Sequence, residues 1–193
     1  MSDDVESSLE DQIRECFGRV VYSHKTHERM ADRCIAKFDR YKIFQIALLG
    51  LTSTGAVSVV FSDTAWIEYG TVVLSFLTFF VSTYLKSFDL GAVAQRHRDA
   101  ASKLWNVREC YFSLLTDLPI LNRDAIIKQR DELQASLVAI YEAAPQTNGK
   151  AYLEAQDRLK NKEDLTFSPE EIDHFLPLSL KRAGARRAAL SSK

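Results

Sequence analysis

Two uncharged apolar runs joined by a short polar connector limit the folds open to this chain more than any other feature. The first, IFQIALLGLTSTGAVSVVF, covers 43–61; the second, YGTVVLSFLTFFVSTYL, covers 69–85. Between them, over 62–68, lie Ser62-Asp63-Thr64-Ala65-Trp66-Ile67-Glu68. At 1.5 Å per residue the runs make helices of about 28 and 25 Å, close to the roughly 30 Å hydrocarbon core of a bilayer. The pair reads as a transmembrane hairpin.

Magnitudes support that reading. The runs hold ten and nine Ile, Leu, Val and Phe residues. Each residue contributes roughly −0.3 to −0.6 kcal/mol to insertion, whereas one central Asp or Lys costs roughly +2.5 to +3.5 kcal/mol. Neither run contains a charge. Gln45 and the hydroxyls of Thr52, Ser53, Thr54 and Ser58 weaken the first. The competing reading is a pair of buried helices in a soluble bundle, and the flanks argue against it. Lys25, Arg29, Arg33, Lys37, Arg40 and Lys42 precede the first run, and Lys86, Arg96, Arg98 and Lys103 follow the second. The connector carries Asp63 and Glu68 and no basic residue. This is the positive-inside pattern, which puts both termini in the cytoplasm. Trp66 and Tyr69 suit the outer interface, Tyr41 and Tyr84 the inner one.

Outside the hairpin about 150 residues remain, enough for one modest soluble domain. The formal net charge of −1 argues against sequence-specific or general nucleic-acid binding, which draws its affinity from concentrated cations. Lys181-Arg182-Ala183-Gly184-Ala185-Arg186-Arg187 is a local exception. It reads as a solvated, disordered basic tail over 181–193, with anionic lipid or nucleic acid as its charged alternatives. Residues 1–40 lack a basic stretch followed by a short apolar core, so the first apolar helix is expected to act as the insertion signal. Cys16, Cys34 and Cys110 form neither a disulfide framework nor a zinc pattern, and are expected to be reduced and inert.

Residues 1–8 are read as a disordered start. A helix then spans 9–42 and continues into the membrane, with Ile13, Phe17, Val20 or Val21, and His24 recurring at helical spacing. From about 89 to 117, Leu104, Val107, Tyr111, Leu114 and Leu118 form a heptad-like stripe, widened by Trp105, Phe112 and Leu115. Arg108 and Glu109 sit among them as a candidate ion pair, buried or between subunits. Pro119 ends that helix. An amphipathic helix over about 123–144 follows, then the turn Pro145-Gln146-Thr147-Asn148-Gly149, then a charged helix over about 150–163. Ser168-Pro169-Glu170-Glu171 is a capping-box start for a short helix over 169–175. No β alternation appears. The fold class is an all-α membrane protein: a two-helix hairpin (43–85) with long cytoplasmic helical extensions and a C-terminal helical region, 86–180.

The chemistry of catalysis is missing from the sequence. There is no Walker motif, dinucleotide fingerprint, GxSxG elbow or kinase signature, so no enzyme and no cofactor is expected. His24, His27 and Glu28, at i, i+3 and i+4, share one helix face and are suitable metal ligands by type. They lack the HExxH order, and no second cluster accompanies them. The preferred reading is a polar, structural or gating face with no metal.

Three stretches together resemble a known family. Tyr22-Ser23-His24-Lys25-Thr26-His27-Glu28 precedes the hairpin. Leu104-Trp105 and Arg108-Glu109-Cys110-Tyr111-Phe112-Ser113-Leu114-Leu115-Thr116-Asp117 follow it. Phe167-Ser168-Pro169-Glu170-Glu171-Ile172-Asp173 lies near the end. In this order around a two-helix hairpin they resemble the SLATT family, the SMODS and SLOG-associating two-transmembrane effectors. The resemblance spans about residues 5–180. It implies an effector of a prokaryotic conflict or antiphage system, seated in the bacterial inner membrane and perforating it on activation. The implied partners are a sensor, a nucleotide synthase or, in some systems, a reverse transcriptase encoded nearby. No synthase or sensor is fused to this chain, so the trigger is expected to be another protein or a ligand of the cytoplasmic helices.

Three function classes follow: a pore-forming oligomer, a non-conducting membrane scaffold or sensor, and an enzyme on a membrane stalk. The first is preferred. A hairpin alone cannot enclose water, so a pore needs several copies, and the amphipathic cytoplasmic helices are the expected oligomerisation surface. Pore-lining candidates are Ser75, Thr78 and Ser82 on the second run, with Thr52 and Ser58 on the first. Close helix packing is their alternative use. Structural or gating candidates are His24, His27, Glu28, Trp105, Arg108, Glu109 and Tyr111.

Overall fold

The computed structural model describes residues 2–61, 64–177 and 179–182, with side chains from Ser7 onward. Among the described residues every regular element is helical. Ser62 and Asp63 of the connector, and 183–193 of the basic tail, lie outside the described residues. Helix α1 runs Ser2–Phe61 without interruption, and its 60 residues make it about 90 Å long. It therefore starts well before the expected Leu9, and residues 2–8 are helical rather than a disordered start. The sequence explains this: there is no proline in α1 and no glycine before Gly18, and its first residues are acidic, as the positive end of a helix dipole favours.

Helix α2 (Ala65–Ser87) returns alongside α1. After Phe88 and Asp89 the chain resumes as α3 (Leu90–Asp117), with the Asp89 carboxylate capping it by accepting from Ala92 N at 2.9 Å. The break leaves the pairing with α1 in one antiparallel register. Thr52 meets Thr78, Gln45 meets Ser82 and Tyr41 meets Tyr84 in the apolar half. His27 meets His97, His24 meets Ala101 and Phe17 meets Phe112 beyond it. The helical stretches Ser7–Phe61 and Ala65–Ile120 each contain an apolar window long enough to cross a bilayer, and only 6% of each window is buried. Val60, Phe61, Val73, Phe76, Phe79 and Phe80 are all exposed. Core helices of a soluble bundle would bury these side chains. Left exposed, such a surface needs lipid or other apolar helices around it, and the chain is a membrane protein.

The two apolar helices approach closely at Gly55, where an added Cβ would stand 2.6 Å from Thr71 Oγ1. At Gly50 an added Cβ meets nothing within 4 Å. Overpacking costs roughly 1–3 kcal/mol. Gly55→Leu should therefore lower the melting temperature of the detergent-solubilised protein by roughly 3–10 °C, and Gly50→Leu by less than about 2 °C. Equal melting temperatures for the two variants would mean that α1 and α2 do not pack at Gly55.

Beyond the apolar half, a 3-10 turn at Leu118–Ile120 carries Pro119, and Asn122 caps α4 (Arg123–Ala143). One core joins Ile13, Cys16 and Val20 of α1, Leu104, Val107, Tyr111 and Leu114 of α3, and Ile126 and Ile140 of α4. Fully burying one such side chain stabilises by about 1.5–3 kcal/mol, and together these side chains hold the three helices to one another. The chain divides into two compact units, one ending at Tyr152 and the other beginning at Leu153, rather than into a hairpin and a single body over 86–180. The reason is that α3 and α4 share their core with α1 and belong to the hairpin's unit. In the second unit α5 (Gly149–Asn161) completes its last turns, two residues short of the expected Glu163, which takes φ 51 and stops the helix. Helix α6 (Pro169–Phe175) has the expected capping box, with Glu171 N donating to Ser168 Oγ and Ser168 N to Glu171 Oε2.

Candidate functional site

The core face of α1 reads Ile13, Cys16, Val20, His24, His27, Ala31, every step three or four residues, and its fourth and fifth members are histidines. On α3 the facing positions are Ala94, His97, Ala101, Leu104 and Val107. The α1–α3 contact thus changes from apolar to polar as it nears the apolar half. The alanines leave room for the imidazoles. His24 and His27 are each 4% exposed and His97 1%.

His27 Nδ1 and His97 Nδ1 are 2.9 Å apart. That contact holds one proton: one imidazole donates N–H and the other accepts on its bare nitrogen, so at least the accepting ring is neutral when it forms. Burial is the main force lowering the His27 pKa, to about 4, and the neighbouring His97 and His24 lower it further. Burial also lowers that of His97. His24 donates Nδ1–H to the Ala101 carbonyl at 2.9 Å, which fixes its tautomer and leaves Nε2 buried, 3.7 Å from a Glu28 oxygen. The other Glu28 oxygen takes the Lys25 ammonium at 2.9 Å. His24 also lies against Trp105, ring centres 5.2 Å apart, and the Arg108 guanidinium covers Trp105 from 4.5 Å. Arg108 pairs with Glu109 on its own helix, so that ion pair is local. Tyr111 is completely buried in the core below.

The expected face of His24, His27 and Glu28 is therefore divided. His24 is fixed on a backbone carbonyl, His27 turns to His97, and Glu28 sits at the rim with Lys25. Among the described residues no three His, Cys, Asp or Glu groups converge as metal ligands. Sequence reasoning missed His97, which lies 70 positions from its partner. The signal was available: folding the chain about its connector sets the twenties against the nineties and early hundreds. Cys16 is buried, and partial burial pushes the Cys34 thiol up, so neither is poised as a nucleophile.

In the apolar half the hydroxyl candidates separate by environment. Thr52 Oγ1 and Thr78 Oγ1 are 3.0 Å apart, and Thr78 is buried. Gln45 donates Nε2–H to Ser82 Oγ at 2.9 Å. Thr52, Thr78 and Ser82 thus occupy the contact between α1 and α2. Ser58, half-buried, and Ser75, exposed, make their hydrogen bonds within their own helices, their hydroxyls donating to the carbonyls of Thr54 and Thr71 one turn earlier.

No curated protein and no solved structure matches the chain. A family model, that of the SMODS and SLOG-associating 2TM effector domain family 4, matches residues 9–171. The match takes in the histidine seam, the apolar hairpin and α3 to α5, and reaches the α6 capping box, so the chain belongs to the SLATT family.

Proposed function

We propose that this protein is the membrane effector of a prokaryotic conflict system, and that several copies assemble into a pore in the inner membrane. Family membership supports the effector role. The pore reading rests on one observation: the hairpin uses Thr52, Thr78 and Ser82 for its own packing, while the hydroxyls of half-buried Ser58 and exposed Ser75 donate to carbonyls of their own helices rather than across the contact. Hydroxyls on an otherwise apolar outer face can keep water in a lumen when copies surround it, whereas apolar constrictions close by dewetting. In this reading both termini are cytoplasmic, the chain performs no catalysis, and the α1–α3–α4 bundle receives the trigger from a partner sensor or a nucleotide signal.

The test is a membrane-potential dye in cells expressing the protein with its neighbouring gene products. Wild type should depolarise cells on activation. Ser58→Leu with Ser75→Leu raises hydrophobicity, so the double variant should insert and oligomerise on blue-native gels yet leave the potential intact. Undiminished depolarisation would remove both serines from the lumen. Failure of the wild type to depolarise would favour the non-conducting scaffold. An exposed groove of about 810 Å³ between α3 and α4, lined by Lys103, Asn106, Gln129 and Glu132 among others, is the surface such a scaffold would offer a partner.

A further inference from the structure

A cleft of about 320 Å³ opens beside the histidine pair, bounded by α1, the end of α4 and the turn into α5. Its walls include Tyr22, Tyr141, Tyr152, Gln146, Thr147 and His27. We propose that this cleft binds a small, uncharged, planar heterocycle, recognised by ring stacking and by the second nitrogen of His27.

Four observations support this reading. The volume is at the lower end of small-molecule sites, which suits a ligand of one or two fused rings. Apart from His27, whose buried ring is neutral near pH 7, no acidic or basic side chain is among the lining residues, so a charged ligand would lose its water without gaining a counter-charge. The aromatic wall is already ordered: Tyr22 and Tyr152 stack at 5.8 Å, and Tyr141 donates its hydroxyl hydrogen to Ser23 Oγ at 2.9 Å. The turn is likewise held, with Ala144 N bonded to Ile140 O and the Asn148 side chain capping α5 through Ala151 N.

His27 gives the site its chemistry. It is 4% exposed, and its Nδ1 is committed to His97, so its ring plane is fixed. Nε2 is the nitrogen left for a ligand. If His97 donates within the pair, His27 carries its proton on Nε2 and offers a donor. If His27 donates to His97, Nε2 is a bare acceptor. A neutral heterocycle with either a ring nitrogen or an amino group can select the matching tautomer. This is more than a core histidine needs, since packing alone would be served by an apolar residue. Ring stacking on tyrosine is sequence-tolerant and moderate in strength, so affinity for a single-ring probe should be modest. The inference does not depend on whether the hairpin conducts, because its test reads binding.

The experiment uses the full-length protein in nanodiscs with three probes: nicotinamide, adenine and AMP. Nicotinamide or adenine should bind with a Kd of roughly 1 mM or tighter by calorimetry and saturation-transfer NMR. AMP carries the same base as adenine with added negative charge, and should bind at least about tenfold more weakly. In protein labelled with 15N-histidine, the neutral probe should shift the His27 ring nitrogens and leave those of His24 unmoved. Gln146→Trp and Thr147→Arg, both on the exposed turn, should each weaken binding about tenfold or more while keeping the melting temperature of wild type. Absence of binding by both neutral probes at roughly 10 mM would overturn the proposal, whatever the variants do. So would AMP binding as tightly as adenine, or binding that survives both plugged variants.

Discussion

Acidification from pH 7.5 to pH 5 is expected to weaken the α1–α3 seam by about 2 kcal/mol through His27 alone. The packed seam holds His27 neutral, with its pKa lowered from 6.5 to about 4. A chain in which α1 and α3 have separated takes the proton at about 6.5. The separated state therefore binds more protons across the window between these values. The stability is fully present above pH 6.5, is lost as pH falls through the window, and reaches its floor below about 4. His97, lowered by burial, acts in the same direction. The two cannot both take a proton on Nδ1 while those nitrogens stay 2.9 Å apart. Glu28 does not rescue the pair: it faces His24 and Lys25 instead.

Hydrogen exchange at seam amides around Ala101, corrected for intrinsic rates, measures the effect. Protection should fall about 30-fold between pH 7.5 and 5, the equivalent of about 2 kcal/mol. In His27→Gln the fall should shrink to the part due to His97. A wild-type protection factor that changes less than about threefold would show that the histidine pair does not hold the seam.

Tyr111 should give the largest effect of any single core substitution, and in an unequal way. Tyr111→Ala removes the largest fully buried side chain of the α1–α3–α4 core and should cost about 3–5 kcal/mol. Tyr111→Phe should be neutral within about 1 kcal/mol, or stabilising. The reason is the hydroxyl. It is buried without a hydrogen bond of good geometry, beside the Cys16 thiol, which is a weak acceptor. Burial, reinforced by Cys16, pushes the phenol far above its ordinary value, so it stays protonated throughout the physiological range. Replacing Tyr by Phe removes a desolvated group and leaves the packing ring. Chemical denaturation of the two variants checks both numbers. A Phe variant as unstable as the Ala variant would mean that the hydroxyl is bonded in solution, by Cys16 or by water.

How far the sequence could be read varied along the chain, for physical reasons. The α6 start was legible because a capping box is local: Ser168 and Glu171 satisfy one another across three residues. The apolar stripe of α3 was legible because Leu104, Val107, Tyr111 and Leu114 repeat at helical spacing, and all four are buried. Trp105 and Phe112 belong to the same pattern by composition, yet stay partly exposed at the edge of the α1–α3 contact, against His24 and Phe17. Periodicity marks a face without giving its width. The start of α1 was misjudged because polar, acidic residues read as disorder, although nothing among them breaks a helix.

Thr78 and Ser75 show the limit most directly. They are three residues apart, both hydroxyl-bearing, and share one side of α2 in any helical projection, yet one is buried against Thr52 and the other exposed. The side of α2 that meets α1 carries Thr71, Thr78 and Ser82, which contact Gly55, Thr52 and Gln45, residues far apart from them in sequence. The same holds for His97.

From the sequence alone came the membrane hairpin, the helical class and the family resemblance, because hydrophobic length, charge asymmetry, capping and motif order are properties of contiguous residues. Only the tertiary structure decided that two histidines 70 positions apart share one proton, that Thr52, Thr78 and Ser82 hold the hairpin together, and that three tyrosines enclose a cleft beside His27. Each depends on the rotation and register of one long helix against another. Those are fixed by the sum of many weak packing contacts along α1, which no local pattern records.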